Sequence, residues 1–237
     1  MKIALASARI ADRDVQHNLS QMERFMREAK AAGACLVCFG EAFLHGFNAL
    51  TWQYVEDQQI ALTVSSQTFA QIKTLTMEID IDVLFGYNEL AGNAIYSSCA
   101  LISGGRLLHN YRRISKGWRE VSRTDAHYQE GTTVEVFDYR GRKCAIGLCG
   151  DLWDYPERFA LGEELLLWPV YVSWTKKEWE NGGKAEYAEQ AALCCGNTLY
   201  VNSLCNGDAI GGAAHFRGGR IHQELPIFHE GILVAEI

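Results

Sequence analysis

Lys143-Cys144-Ala145-Ile146-Gly147-Leu148-Cys149-Gly150-Asp151-Leu152 is the stretch from which the rest of the chain is read. Residues 143–148 form a short apolar run and read as a buried strand. The run stops at Cys149, and Gly150 permits a sharp turn there. A thiol at such a turn leaves the sheet and has fresh backbone N–H groups beside it. A nucleophile requires both the exposure and the oxyanion donors. Plain packing is the competing explanation, because free cysteine is among the most buried residue types. Position alone does not separate the two.

Outward from this strand, hydrophobic periodicity gives an alternating pattern. Residues 2–8 read as a first strand. Leu19, Met22, Met26 and Ala29 recur at helical spacing, with Gly33 as a stop. Residues 35–39 read as a short buried strand ending at Gly40-Glu41. Phe69, Ile72, Leu75 and Ile79 mark a second helix, and residues 83–87 a strand. Residues 94–102 and 106–111 read as a hairpin across Gly104-Gly105. A second hairpin pairs residues 133–139 with 143–148. Residues 165–168 and 199–205 read as strands around an alanine-rich helix at 184–196. Short strands close the chain at 212–216, 220–223 and 232–236. Strands alternating with helices, but mixed with hairpins, predict an α/β chain with mixed sheets. A doubly wound open sheet is the alternative. No G-x-G-x-x-G or Walker loop supports a nucleotide fold.

Composition narrows the class. The chain has 237 residues, 48% hydrophobic and 22% charged, which suits one sizeable core, and a single domain over 1–237 is expected. The net charge is −7, and no basic stripe of a nucleic-acid-binding surface is present. No apolar run approaches membrane-spanning length, and the first ten residues lack the pattern of a signal peptide. The eight cysteines fall mostly in apolar strand-like or helix-like runs, so they read as reduced thiols of a cytoplasmic protein. Cys35-Leu36-Val37-Cys38 formally matches a redox C-x-x-C, but it lies inside a predicted strand rather than at a helix start. No His/Cys cluster has zinc spacing, so no metal or cofactor is expected.

Two further segments carry chemistry. Glu41 follows a strand end, where sites gather in α/β folds, and a partly buried glutamate there would serve as a general base. A surface ion pair is the plainer alternative. Tyr111-Arg112-Arg113-Ile114-Ser115-Lys116-Gly117-Trp118-Arg119-Glu120 concentrates cations after another strand. A cation from it, aimed at the thiol, would stabilise a thiolate or an oxyanion. Only lysine readily passes a proton, because guanidinium stays protonated.

The order and spacing of Phe39-Gly40-Glu41-Ala42-Phe43, Tyr111-Arg112-Arg113, and Gly147 to Leu152 with Pro156-Glu157 resemble the nitrilase superfamily, the carbon–nitrogen hydrolases. The resemblance extends over nearly the whole chain. It implies a four-layer α-β-β-α sandwich and a Glu-Lys-Cys triad with a second glutamate near the lysine. Cys149 is then the nucleophile and Glu41 the base. The family usually has Tyr-Arg-Lys, and here the third position is Arg113. Lys116, three residues on, is the expected catalytic lysine, with Arg113 as the alternative occupant. Glu120 is expected as the second glutamate, with Asp125 and Glu130 as rivals. Gly150 stands where many members have tyrosine, and its N–H would face the oxyanion. The implied activity is hydrolysis of a small linear amide or carbamoyl compound through a thioester. Nitrile hydrolysis is one alternative, and a non-catalytic binding or regulatory protein on the same fold is another. A homodimer or larger homo-oligomer is also implied. Trp118, Trp153 and Trp174 lie in or near loops after the catalytic strands and are candidates to line the substrate pocket, or else pack in the core.

Overall fold

The computed structural model describes residues 1–205 and 209–237. The chain builds two six-stranded sheets. The first contains β1 (Lys2–Ser7), β2 (Leu36–Cys38), β3 (Asp82–Ala91), β4 (Ala94–Ser103) and β5 (Arg106–Arg112). The second contains β6 (Phe137–Tyr139), β7 (Arg142–Ile146), β8 (Leu165–Val170), β9 (Asn197–Asn202), β10 (Ala213–Arg217) and β11 (Arg220–Leu225). The last strand, β12 (Gly231–Glu236), returns to the first sheet beside β1. The strand orders are β12-β1-β2-β3-β4-β5 and β11-β10-β9-β8-β7-β6. Each has a parallel centre, β1-β2-β3 and β7-β8-β9, flanked by antiparallel strands. Among the described residues the α-helical segments are α1 (Val15–Ala31), α2 (Tyr54–Asp57), α3 (Gln67–Ile79), α4 (Asp151–Asp154), α5 (Lys176–Glu178) and α6 (Lys184–Cys194).

The period-2 pattern of the strands decides the layering. Ile3, Leu5, Leu36, Cys38 and Leu84 face the second sheet and join its Ile146, Leu167 and Val201 in one core. Their neighbours Ala4, Ala6, Val37, Val83 and Phe85 face the other way, onto Met22, Phe25 and Met26 of α1 and Phe69 and Ile72 of α3. Tyr187, Ala188 and Ala191 of α6 cover the outer face of the second sheet. The result is the expected four-layer α-β-β-α sandwich of mixed sheets, in place of an open doubly wound sheet. Local signals agree. Asp14 caps α1 by accepting from the His17 N–H at 2.9 Å, and Gly33 turns at φ +79° just past its end. Ser66 caps α3, which ends at Asp80 in the left-handed region.

Two local expectations change. The strand expected over 133–139 shrinks to β6, because residues 129–131 bond instead to the first sheet: Gln129 N–H to Ile95 and Gly131 N–H to Arg113. Cys35 precedes β2, so the C-x-x-C runs across the start of the strand and not wholly inside it, and both thiols pack against the same core. Among the described residues no two cysteines form a disulfide. Among the described residues, no helix is long and apolar enough to cross a membrane.

Candidate active site

Cys149 sits three residues past β7 at φ +45°, in the left-handed region that side chains rarely adopt. The turn is held from several sides. The Cys149 N–H donates to the Pro169 carbonyl at 3.0 Å, and its own carbonyl accepts from Trp168 Nε1 at 3.0 Å. The thiol lies 3.8 Å from the Tyr171 carbonyl. Immediately beyond, Asp151 opens α4, fully buried. Its carboxylate accepts from the Leu148 N–H at 2.9 Å, the Tyr111 hydroxyl at 2.7 Å, and the Ile114 and Ser115 N–H groups at 3.1 and 2.8 Å. One side chain thus ties the Cys149 turn to the loop after β5. Burial pushes this carboxyl up, while Arg113 and the surrounding donors oppose the shift.

Glu41 leaves the end of β2, and its N–H donates to the Val170 carbonyl at 3.1 Å. Its carboxylate is fully buried. Oε1 accepts from Arg113 Nη1 at 2.7 Å and from Ser97 Oγ at 3.2 Å, while the buried Oε2 has no partner. Close packing around this residue depends on glycine. A Cβ on Gly86 would lie 2.4 Å from the Ala42 nitrogen and 2.8 Å from the Glu41 Cα.

Arg113 turns inward directly after β5. Tyr111 is buried, Arg112 is half-exposed, and the alternation carries Arg113 back to the interior. Its N–H donates to the Ser97 carbonyl at 2.9 Å, and its Nε to Ser115 Oγ at 2.7 Å. Burial works against the guanidinium charge, but Glu41 first and Asp151 with it outweigh burial and hold the group more firmly protonated than usual. For Cys149, burial and then the Glu41 charge raise the thiol, and Arg113 opposes them. The thiol is pushed up to about 12. At neutral pH the sulfur therefore keeps its proton, beside a carboxylate with one unused oxygen.

The structure corrects several expected placements. Lys116 is exposed in a 3₁₀ turn at Lys116–Trp118, because Ser115 bonds inward and sends the following residue out. Arg113 is the cation that reaches Glu41. Glu120 is also exposed. It pairs with Arg123 at 3.2 Å and accepts from Trp52 Nε1 at 3.1 Å. Asp125 pairs with His127 and Glu130 with Arg119. Among the described residues, none of these three carboxylates bonds to Glu41, Arg113 or Cys149.

The three tryptophans separate. Trp118 is buried in a satellite cluster with Leu50, Ala61, Ile95 and Tyr128. With Glu120 it lines a cleft of about 290 Å³ between the loop after Glu41 and the loop after Arg113. Trp153 is 40% exposed and meets Tyr187 edge-on. Trp174 packs edge-on against Tyr187 and beside Trp179. Tyr187 and Tyr200 are buried, and burial is the main cause that raises both phenols. Sequence reading assigned no role to Asp151, Ser97, Ser115, Tyr187 or Tyr200. Of these, only Asp151 carried a local signal, two positions past the cysteine. Among the described residues, no three His, Cys, Asp or Glu side chains converge as a metal-binding group.

The fold agrees with the comparisons. The carbon-nitrogen hydrolase family model matches residues 2–200, and the chain belongs to that family. It is 26% identical over 182 residues to the N-carbamoylputrescine amidase of Oryza sativa subsp. japonica, covering 72% of this chain and 59% of that protein. It is 30% identical over 122 residues to an arylacetonitrilase of Aspergillus oryzae, covering 48% of this chain and 37% of that one. The chain thus spans between about a third and three fifths of the length of these curated relatives. The amidase from Nesterenkonia sp. superposes with a TM-score of 0.80 at 19% identity, covering 100% of this chain and 90% of that chain. One structure of that amidase carries the acetamide moiety of fluoroacetamide added covalently at its active site cysteine.

Proposed function

We propose that this chain is a cysteine-dependent hydrolase that cleaves a carbon–nitrogen bond of a small linear amide or carbamoyl compound through a thioester. The observation that carries the reading is the buried, unpartnered Oε2 of Glu41 beside the protonated thiol of Cys149, with Arg113 fixed on the other carboxylate oxygen. The relatives include amidases of small carbamoyl compounds and arylacetonitrilases. The amide reading is preferred, and nitriles are an arm of the test.

In this mechanism Glu41 takes the Cys149 proton as sulfur attacks the carbonyl carbon. Such transfers contribute about 10²–10⁴-fold. The tetrahedral oxyanion faces Arg113 and the Gly150 N–H. Each oxyanion donor contributes roughly 10²–10³-fold. Glu41, now protonated, gives its proton to the departing amine and later activates the water that cleaves the thioester. Arg113 takes the cationic role expected of Lys116, but guanidinium does not pass protons, so every proton transfer falls to Glu41. Eight cysteines with no disulfide among the described residues suit a reducing compartment, so we place the protein in the cytoplasm, as a homodimer or larger homo-oligomer.

Intact-mass and peptide mass spectrometry after incubation with a panel of amides, carbamoyl compounds and nitriles tests the reading. An acyl adduct on Cys149 that forms and decays, and is absent from Cys149→Ala, is expected. A panel that leaves Cys149 unmodified throughout would defeat it.

A further inference from the structure

We propose that Gly150 and Gly117 form a cradle for the Arg113 guanidinium, which makes Gly150 a positioning residue for the oxyanion cation. The inference rests on the reading of Arg113 given above. Gly150 stands at φ −65°, ψ −10°, an ordinary helical conformation open to any residue. The backbone therefore gives no reason for glycine, and alanine there would ordinarily stabilise the chain by restricting its unfolded state. Space gives the reason. A Cβ on Gly150 would lie 2.7 Å from Arg113 Nη2 and 3.3 Å from Ser115 Oγ. A Cβ on Gly117 would lie 3.0 Å from the same Nη2, and Gly117 also has no left-handed φ. The guanidinium cannot simply swing away. It is buried, with Nη1 on Glu41 at 2.7 Å and Nε on Ser115 at 2.7 Å.

The two departures from the family pattern, arginine at 113 and glycine at 150, are thus one feature. A planar three-nitrogen head needs room that a single ammonium does not, and the missing side chain at 150 supplies it. Any side chain there pushes Nη2 and, through the rigid fork, drags Nη1 from Glu41. A lysine at 113 would release the space again.

The test compares wild type, Gly150→Ala, Arg113→Lys and the double variant. The probe is p-nitrophenyl acetate. Its acyl carbon bonds to Cys149 sulfur, 4-nitrophenolate leaves, and the thiol proton passes to Glu41. Iodoacetamide alkylation of Cys149, which forms no oxyanion, is the control. Gly150→Ala should slow acylation about 10²-fold, the loss of one oxyanion donor, and slow alkylation much less. Arg113→Lys should slow the wild type but speed the Gly150→Ala variant. Acylation by Gly150→Ala at the wild-type rate overturns the proposal, as does an equal effect of Arg113→Lys in both backgrounds. Thermal melting reads the steric coupling independently. Gly150→Ala should lower the melting temperature beside arginine and not beside lysine, and equal shifts overturn the cradle. If wild-type Cys149 accepts no acyl group, the hydrolase reading falls, while the melting cycle still decides the cradle.

Discussion

Replacing Arg113 by methionine removes the guanidinium and keeps much of its volume. The Glu41 side chain, 1% exposed, is left with Ser97 Oγ at 3.2 Å. Breaking a buried ion pair from one side costs about 3–5 kcal/mol, because the remaining charge stays desolvated and uncompensated. In a chain of this size each kcal/mol moves the melting temperature by roughly 2–4 °C, so Arg113→Met should melt about 6–20 °C below wild type. Adding Glu41→Gln removes the stranded charge. The double variant should therefore recover much of the loss and melt above Arg113→Met. High salt should not mimic the effect, since a buried pair is screened far less than a surface pair. Differential scanning calorimetry of wild type, both single variants and the double variant at neutral pH measures the cycle. A drop for Arg113→Met within about 2 °C of wild type would place the pair among ion pairs worth less than 1 kcal/mol and refute the reasoning. A double variant less stable than Arg113→Met would refute it as well.

Two other predictions follow from buried groups near the site. Asp151→Ala strands three backbone N–H donors and the Tyr111 hydroxyl, at about 1–3 kcal/mol each. It should cost several kcal/mol in urea unfolding, Tyr111→Phe should cost clearly less, and similar costs for the two would contradict Asp151 as the common anchor. His45, four residues past Glu41, is lowered to about 4 by burial, against the opposing Ile60 carbonyl. Its Nδ1 accepts from the Asn88 N–H at 3.2 Å and its Nε2 reaches the Ile60 carbonyl at 2.9 Å, so the neutral ring fits both partners. The unfolded state binds the proton more readily, so the stability contributed by neutral His45 is full above about 6.5 and is lost as pH falls toward about 4. Urea midpoints of wild type should fall from pH 7 to pH 5 more steeply than those of His45→Asn, and parallel slopes would exclude His45 as the cause.

The legible parts of this site were those set by local pattern. An apolar run that stops at Cys149, and another that stops just before Glu41, place two side chains at strand ends without any knowledge of the partner sheet. The cation was not legible in the same way. Whether residue 113 or 116 turns inward depends on where β5 ends and on its register with β4, which slips by one residue between Leu101 and Ile102. That irregularity leaves no mark in the residue types. The loop preference for lysine chemistry pointed to Lys116, while burial chose Arg113. Glu120 failed for a related reason. Residues 119–131 close on themselves through Arg119–Glu130 and bond back to the first sheet and the residue after β5 through the Gln129 and Gly131 N–H groups, contacts distant enough in sequence to show no periodicity.

The site's geometry depends on the two sheets keeping register, and one strand end sets it. Glu41 follows a strand of the first sheet and Cys149 one of the second, so relative sliding of the sheets would separate the carboxylate from the thiol. Both backbones instead bond to consecutive carbonyls at the end of β8, Cys149 to Pro169 and Glu41 to Val170. Their separation is therefore tied to the rise of one residue in a strand, about 3.3 Å. Arg113 follows the edge strand of the first sheet, and Asp151, at the start of α4 beyond β7, accepts from the two N–H groups that follow it. Glu41 and the loop after Arg113 are thus bonded across the seam between the sheets, and Cys149 is bonded to the same strand end as Glu41. Inter-sheet packing and the alignment of thiol, carboxylate and guanidinium are the same structural quantity, and a core substitution that shifts β8 should disturb the site before it unfolds the chain.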